Sequence, residues 1–251
     1  MSASMRTAGA NRSVWSVYRP RRGAEFVVRA QISTKGEQEH VKSQILAYTA
    51  PLDKGRGATL EDARRIETYV DQIEERSSVV RLDDPNVEEE LLAGRWKLLY
   101  SSEFVPGNAK NPGNAVRPAE FSPVKIGSVM QMIDAKEKRL DNVVDLEVSF
   151  SLANILRDRI ETPRVIACLG HSYSISGART MRITYDRTTL QPQGGIFSSW
   201  VQSIPELTIP SVLNFLDDSF RSSSFDVVFL DRDLRITRGD RNELRIFISV
   251  S

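Results

Sequence analysis

Leu91-Leu92-Ala93-Gly94-Arg95-Trp96-Lys97-Leu98-Leu99-Tyr100-Ser101-Ser102 is the stretch on which the reading of this chain turns. Upstream of it apolar residues recur with a helical period; from Gly94 onward they recur with a period of two. A second stretch answers it near the other end: Leu230-Asp231-Arg232-Asp233-Leu234-Arg235-Ile236-Thr237-Arg238-Gly239-Asp240, running on into Leu244-Arg245-Ile246-Phe247. A Gly-x-Trp thus opens the first strand and an Arg-rich hairpin closes the last, with about the length of one small barrel between them.

Working outward, Val144, Leu146, Val148 and Phe150 alternate with Val143, Asp145, Glu147 and Ser149. Met181, Ile183 and Tyr185 alternate with Thr180, Arg182, Thr184 and Asp186, and Leu244, Ile246, Ile248 and Val250 with Glu243, Arg245, Phe247 and Ser249. Each pattern puts an apolar row on one face and a mostly polar row on the other. Weaker runs over residues 95–104, 123–133, 164–175 and 225–237 bring the total to about eight strands, enough for a closed antiparallel barrel without sheet edges. Periodicity alone leaves a two-sheet sandwich open. In a barrel one row of each strand faces the lumen, and the apolar rows offer Tyr100, Met130, Met132, Phe150, Met181, Tyr185 and Phe229. These residues either line an adaptable apolar pocket or fill an ordinary core.

Upstream, residues 37–50 read as a short helix with Val41, Ile45 and Tyr48 along one stripe, broken by Pro51, Gly55 and Gly57. A firmer helix spans residues 60–76, capped by Thr59, with Leu60, Ala63, Ile66, Val70 and Ile73 at helical spacing. Two helices this short do not bury that stripe alone, so they are expected to lie on the barrel. A separate module docking a protein partner is the alternative.

The first 30 residues carry six arginines against the single acid Glu25, a sum of +5 in a chain whose net charge is +1. They are also Ser-rich and lack an unbroken apolar segment, which fits an organelle transit peptide. The organisation is therefore an address over 1–30, a helical extension over 31–90 and a barrel over 91–251. The rest of the chain sums to −4, which argues against a nucleic-acid partner. One cysteine and two histidines exclude a disulfide framework and a Cys- or His-rich metal centre.

Residues 194–200, Gly-Gly-Ile-Phe-Ser-Ser-Trp, lead into a segment where Leu213, Leu216 and Phe220 form one face of a short helix flanked by Phe197 and Trp200. It reads as a lid or a wedge on a lipid surface, or equally as a helix closing one barrel end. Catalytic signals are sparse. Cys168 and His171 are three apart on a strand and point to opposite faces. Asp231 and Asp233 lie beside Arg232 and Arg235, so ion pairing explains them better than acid–base chemistry. No nucleophile elbow, phosphate loop or dinucleotide fingerprint occurs. No catalytic residue and no cofactor is expected.

The two terminal stretches, Leu-Leu-x-Gly-Arg-Trp-x-Leu-Leu-Tyr-Ser-Ser and Asp-x-Asp-Leu-Arg-Ile-x-Arg-Gly-Asp, resemble the plastid lipid-associated proteins, or plastid fibrillins, a lipocalin-like family. Pro205-Glu206-Leu207-Thr208-Ile209-Pro210 sits where that family carries a Pro-flanked apolar segment. Asn242 departs from a common Gly and Arg245 from a common aromatic. The resemblance, over residues 37–250, implies a lipocalin-like barrel whose end is closed by Gly94 and Trp96, with Arg235 or Arg238 stacked on the indole. It directs the address to the plastid and implies a non-enzymatic binder of a hydrophobic small molecule, whether prenyl-lipid, carotenoid or fatty acid, in peripheral contact with plastoglobules or thylakoids. A structural coat on plastid lipid droplets without an internal ligand is the alternative, with a barrel enzyme acting on a lipid or pigment behind it.

Overall fold

Thr59 starts the second helix through a reciprocal pair of bonds: its hydroxyl accepts the Asp62 amide at 3.1 Å, and the Asp62 carboxylate accepts the Thr59 amide at 2.8 Å. This capping box fixes α2 at Leu60–Arg76. Its inward stripe is Ile66, Val70 and Ile73, all buried. The preceding helix, α1 (Arg22–Thr49), begins well before the expected residue 37, because no proline interrupts residues 21–50. Tyr48 of α1 donates to Asp62 of α2 at 2.6 Å, tying the pair together. The computed structural model describes residues 22–107, 124–148, 164–193 and 223–250.

Among the described residues eight antiparallel strands follow in simple up-and-down order: β1 (Gly94–Ser101), β2 (Val124–Asp134), β3 (Arg139–Val148), β4 (Arg164–Ser176), β5 (Thr180–Gln193), β6 (Ser223–Leu230), β7 (Leu234–Gly239) and β8 (Leu244–Ser249). β8 pairs back onto β1, so the sheet closes into a barrel. The expected run over 225–237 is two strands, β6 and β7. Between them the Asp231 carboxylate accepts the amides of Asp233 and Leu234 at 2.8 and 2.7 Å, making the turn. Asn242 does occupy the left-handed region, with φ 61°, in the β7–β8 turn.

The barrel has an inner and an outer apolar layer. The inner cluster holds Trp96, Leu98, Val129, Leu140, Val144, Leu169, Met181, Val227 and Phe247. The outer cluster joins Val41 and Ile45 of α1 and Ile66, Val70 and Ile73 of α2 to Leu234, Ile236, Leu244 and Ile246. Helices therefore cover β6–β8 from outside, and β7 and β8 are buried on both faces. Ion pairs pin this layer: Lys42 of α1 reaches Asp231 and Asp233 at 2.6 and 2.9 Å. Arg238 of β7 reaches Glu67 and Asp71 of α2 at 2.7 and 2.9 Å. The loop after α1 is tied to β1 by the Ser101 amide on the Lys54 carbonyl, 3.0 Å. Gly55 there has φ 103°, and a Cβ would stand 2.4 Å from the Ser101 carbonyl oxygen.

One end of the barrel is stoppered by residues 82–92. Leu82 donates its amide to the Ala178 carbonyl at 2.6 Å. Buried Glu88 accepts the Tyr173 hydroxyl at 2.6 Å and Lys138 at 2.5 Å. At the opposite end β1, β3 and β5 finish and β2, β4 and β6 begin.

Candidate functional site

The interior is built around Arg235. Register places it beside Phe247 of β8, which in turn faces Leu98 of β1. Its guanidinium lies 5.0 Å from the Trp96 ring centroid and 4.5 Å from that of Phe247, a cation held between two aromatic faces. The Trp96 indole N–H is used by the Leu92 carbonyl at 2.9 Å, which locks the ring toward the stopper. Arg235 is 0% exposed and donates through Nη2 to Gln131, whose amide nitrogen donates to Asn142 at 2.9 Å. Its Nε and Nη1 have no partner. Burial pulls its pKa down to about 9, because the charged form has lost its water.

Toward the other end, Arg245 donates to Glu103 at 2.8 Å and approaches Glu243 at 3.4 Å. Between this pair and the Gln131–Asn142 pair lies a cavity of about 20 Å³ lined also by Leu98, Val129, Ile183, Phe225 and Phe247. That is room for one water and not for a lipid tail.

Among the described residues β5 pairs with β6 from Thr180 to Ile183 and runs on to Gln193. Beyond that point the lumen-facing row of β5 continues as Tyr185, Thr188 and Leu190, beside Val165, Ala167 and Leu169 of β4. A register shift between Gly170 and His171 leaves Asp186 as an extra residue on β5. His171 and Tyr185 face each other there, rings 5.9 Å apart and edge to face. His171 Nδ1 is 3.0 Å from the Leu169 carbonyl oxygen, while Nε2 is buried with no partner. The Tyr185 hydroxyl bonds Thr188 Oγ1 at 2.8 Å.

A family model described as PAP_fibrillin matches residues 39–248. The chain belongs to the plastid lipid-associated protein (fibrillin) family. Plastid-lipid-associated protein 6, chloroplastic, of Arabidopsis thaliana is 31% identical over 214 residues, covering 83% of this chain and 69% of that one. Plastid lipid-associated protein 1, chloroplastic, of Brassica campestris is 25% identical over 252 residues, covering 90% and 71%. It is accordingly a plastid protein.

Within this fibrillin the residues expected at the site are scattered. Trp96 and Met181 belong to the inner cluster, and Tyr185 lies on the lumen-facing row, 38% exposed. Tyr100 and Phe229 belong to the outer cluster instead. The reason is a bulge in each strand: the register slips between Leu98 and Tyr100 and between Val227 and Phe229, and one extra residue turns every later side chain to the other face. Met130 and Met132 are also corrected, because β2 turns Val129, Gln131 and Ile133 inward. Met132 is 45% exposed in a surface cleft beside Gly94 and Arg95. Of the two candidate caps, Arg235 stacks on Trp96, whereas Arg238 points outward to α2. Gly94 has φ 134° with open space around a Cβ. Its part in closing the barrel end is thus one of backbone conformation and not of room for a neighbouring chain. Phe150, Phe197, Trp200, Leu213, Leu216 and Phe220 lie outside the described residues.

Gln131, Asn142, His171 and Phe247 were not singled out for the interior. A lone polar residue in an apolar row is the one signal the first two carry. Phe247 sits in the mostly polar row of β8, which faces inward because the helices claim the apolar row. Asp231 and Asp233 pair with Lys42 rather than with their neighbouring arginines. Cys168 lies on the outer row, away from His171, and burial raises its thiol pKa, which disfavours the nucleophilic thiolate. Among the described residues no group of three metal-ligating side chains is present, and no helix is long and apolar enough to cross a membrane.

Proposed function

We propose that this fibrillin is a non-catalytic plastid protein that binds a hydrophobic small molecule, a prenyl-lipid, carotenoid or fatty acid, while in peripheral contact with plastid lipid droplets or thylakoids. The observation that supports it is the apolar lumen row that β4 and β5 carry past Ile183, through Leu169, Ala167, Val165 and Leu190. Each methylene laid on such a wall contributes about 0.8 kcal/mol, so a few isoprene units suffice for a useful affinity. The interior on the Trp96–Arg235 side is filled, so the molecule lies against the β4–β5 row and is not swallowed whole.

That filled interior also favours a second reading, a coat protein that holds no single ligand. The two separate on one measurement: the full chain is incubated with total plastid lipid extract, repurified by gel filtration and its bound species identified by mass spectrometry. One enriched prenyl-lipid, pigment or fatty acid near one per chain is expected. Recovery of empty protein, or of bulk lipid without selection, refutes the carrier reading in favour of the coat.

A further inference from the structure

Among the described residues the helices cover β6–β8 from outside, and no helix packs on the outer rows of β1–β5. Register sets two of those rows side by side across five strands. One runs Lys97, Met130, Val143, Cys168 and Thr189; the next runs Arg95, Met132, Asp141, Gly170 and Arg187. Met132 is 45% exposed and Met130 half-buried, so two thioethers mark the place where β2 crosses this patch. Arg95, Lys97 and Arg187 are exposed and pair with no carboxylate among the described residues. Asp141 is the one acid in the two rows. It reaches Arg139 at 3.4 Å and lies with the Arg187 side chain over Gly170, where a Cβ would meet both. Four cations against one acid leave the patch at +3.

Where that charge sits matters as much as its size. Residues 31–251 together sum to −4, so a patch of opposite sign on one face orients the molecule in an external field. At the stoppered end the balance reverses, with Glu89, Asp134 and Glu137 around Lys136. Toward the opposite end Asp145 is taken by Arg164, and Lys125 stands across from Glu147. The cationic ground is therefore the middle of the strands, where the two methionines stand. Resting on the peripheral lipid contact proposed above, we infer that the outer face of β1–β5 docks on an anionic lipid surface. Arg95, Lys97, Arg139 and Arg187 meet the headgroup oxyanions, and Met130 and Met132 enter the headgroup–acyl boundary between them. An apolar pair set among cations suits a surface whose negative charge lies over hydrocarbon. Docked in this way, the helix-covered side of the barrel faces away from the lipid.

The test titrates the full chain with vesicles of phosphatidylcholine alone and of phosphatidylcholine mixed equally with phosphatidylglycerol, read by flotation. The anionic vesicles are expected to bind more tightly, and added salt to remove the difference. Each cation held near an anionic surface is worth roughly fivefold in binding, so Arg95→Gln with Lys97→Gln should weaken it roughly twenty-five-fold. Lys35→Gln with Arg64→Gln removes the same charge from exposed positions on α1 and α2. That pair should change binding less than about twofold, because those cations lie more than a Debye length from the lipid. The Arg-rich first 30 residues are present in every variant, so their own attraction cancels in the comparison. Met132→Asp should weaken binding as well, and thermal melts of each variant show that its fold is kept. Equal losses from the two pairs would reduce the effect to bulk charge and overturn the inference. Unchanged binding in the Arg95 and Lys97 variant also overturns it, and leaves lipid contact standing through another part of the chain. Capture by soluble polyglutamate with no gain on anionic vesicles would assign the face to an acidic protein instead. Binding to neither vesicle refutes the peripheral contact and this inference with it.

Discussion

Replacing Ile246 by Ala tests the claim that β8 is buried on both faces. Ile246 is 0% exposed on the outer row, flanked by Ile236 and Tyr100 and covered by the helix cluster of Ile45, Ile66 and Ile73. Three carbons are lost, about 2.4 kcal/mol of transfer free energy. A residual hole of about 70 Å³ adds roughly 1.7 kcal/mol, so the total is about 4 kcal/mol. For a chain of this size that lowers Tm by about 8–16 °C. Thermal and urea unfolding measure the loss, and native-state hydrogen exchange shows where it falls. The amides of α2 should lose protection selectively in Ile246→Ala, because the hole opens under that helix. Phe247→Ala, one residue along and on the lumen face, should cost a comparable amount without singling out α2. The reasoning is refuted if Ile246→Ala costs less than about 1 kcal/mol, or if it is Phe247→Ala that exposes the α2 amides.

Gly94→Ala should destabilise by about 1–3 kcal/mol in chemical denaturation, entirely through its φ of 134°, since a Cβ there meets nothing; an unchanged midpoint would deny that strain. Lys42→Met should cost only about 1–2 kcal/mol, because the exposed Asp233 and part-exposed Asp231 can take water in its place. Desolvation lowers the Lys42 pKa, but the bonds and charges of Asp231 and Asp233 outweigh it and raise it overall. Its stabilisation is therefore complete below pH 10.5 and is lost as pH rises through the higher folded value, so the wild-type advantage over Lys42→Met should shrink in alkaline melts. At the acid end, the Tyr48 and Thr59 hydrogen bonds hold Asp62 down to about 2 from 3.8. Its contribution is full above 3.8 and fades toward pH 2, so an Asp62→Asn variant should show a flatter acid-unfolding curve over that window.

The elements themselves were legible because their signals are local. Thr59 and Asp62 sit three residues apart and cap α2 without help from the rest of the chain. Alternation marked β3, β5 and β8, and Asn242 held its turn in the left-handed region. What failed was the inference from an apolar row to a lumen-facing row. In β3 and β5 the two coincide. In β8 they do not, because Leu244, Ile246 and Ile248 serve the helix interface while Arg245 and Phe247 turn inward. In β2 both rows are apolar enough that Met130 and Met132 looked as suitable as Val129 and Ile133.

By itself, the sequence determined two helices, about eight strands and the family to which the chain belongs. Caps, turns and periodicity act within a few residues, and the family motifs are contiguous. Tertiary structure alone decided which side of the barrel the helices cover, and so which rows are buried twice. It also decided that Arg235 and not Arg238 lies on Trp96, and that Tyr100 and Phe229 face outward. Each of those outcomes depends on register between strands far apart in the chain. A bulge of one residue reverses it, and no local pattern records where the bulge will fall.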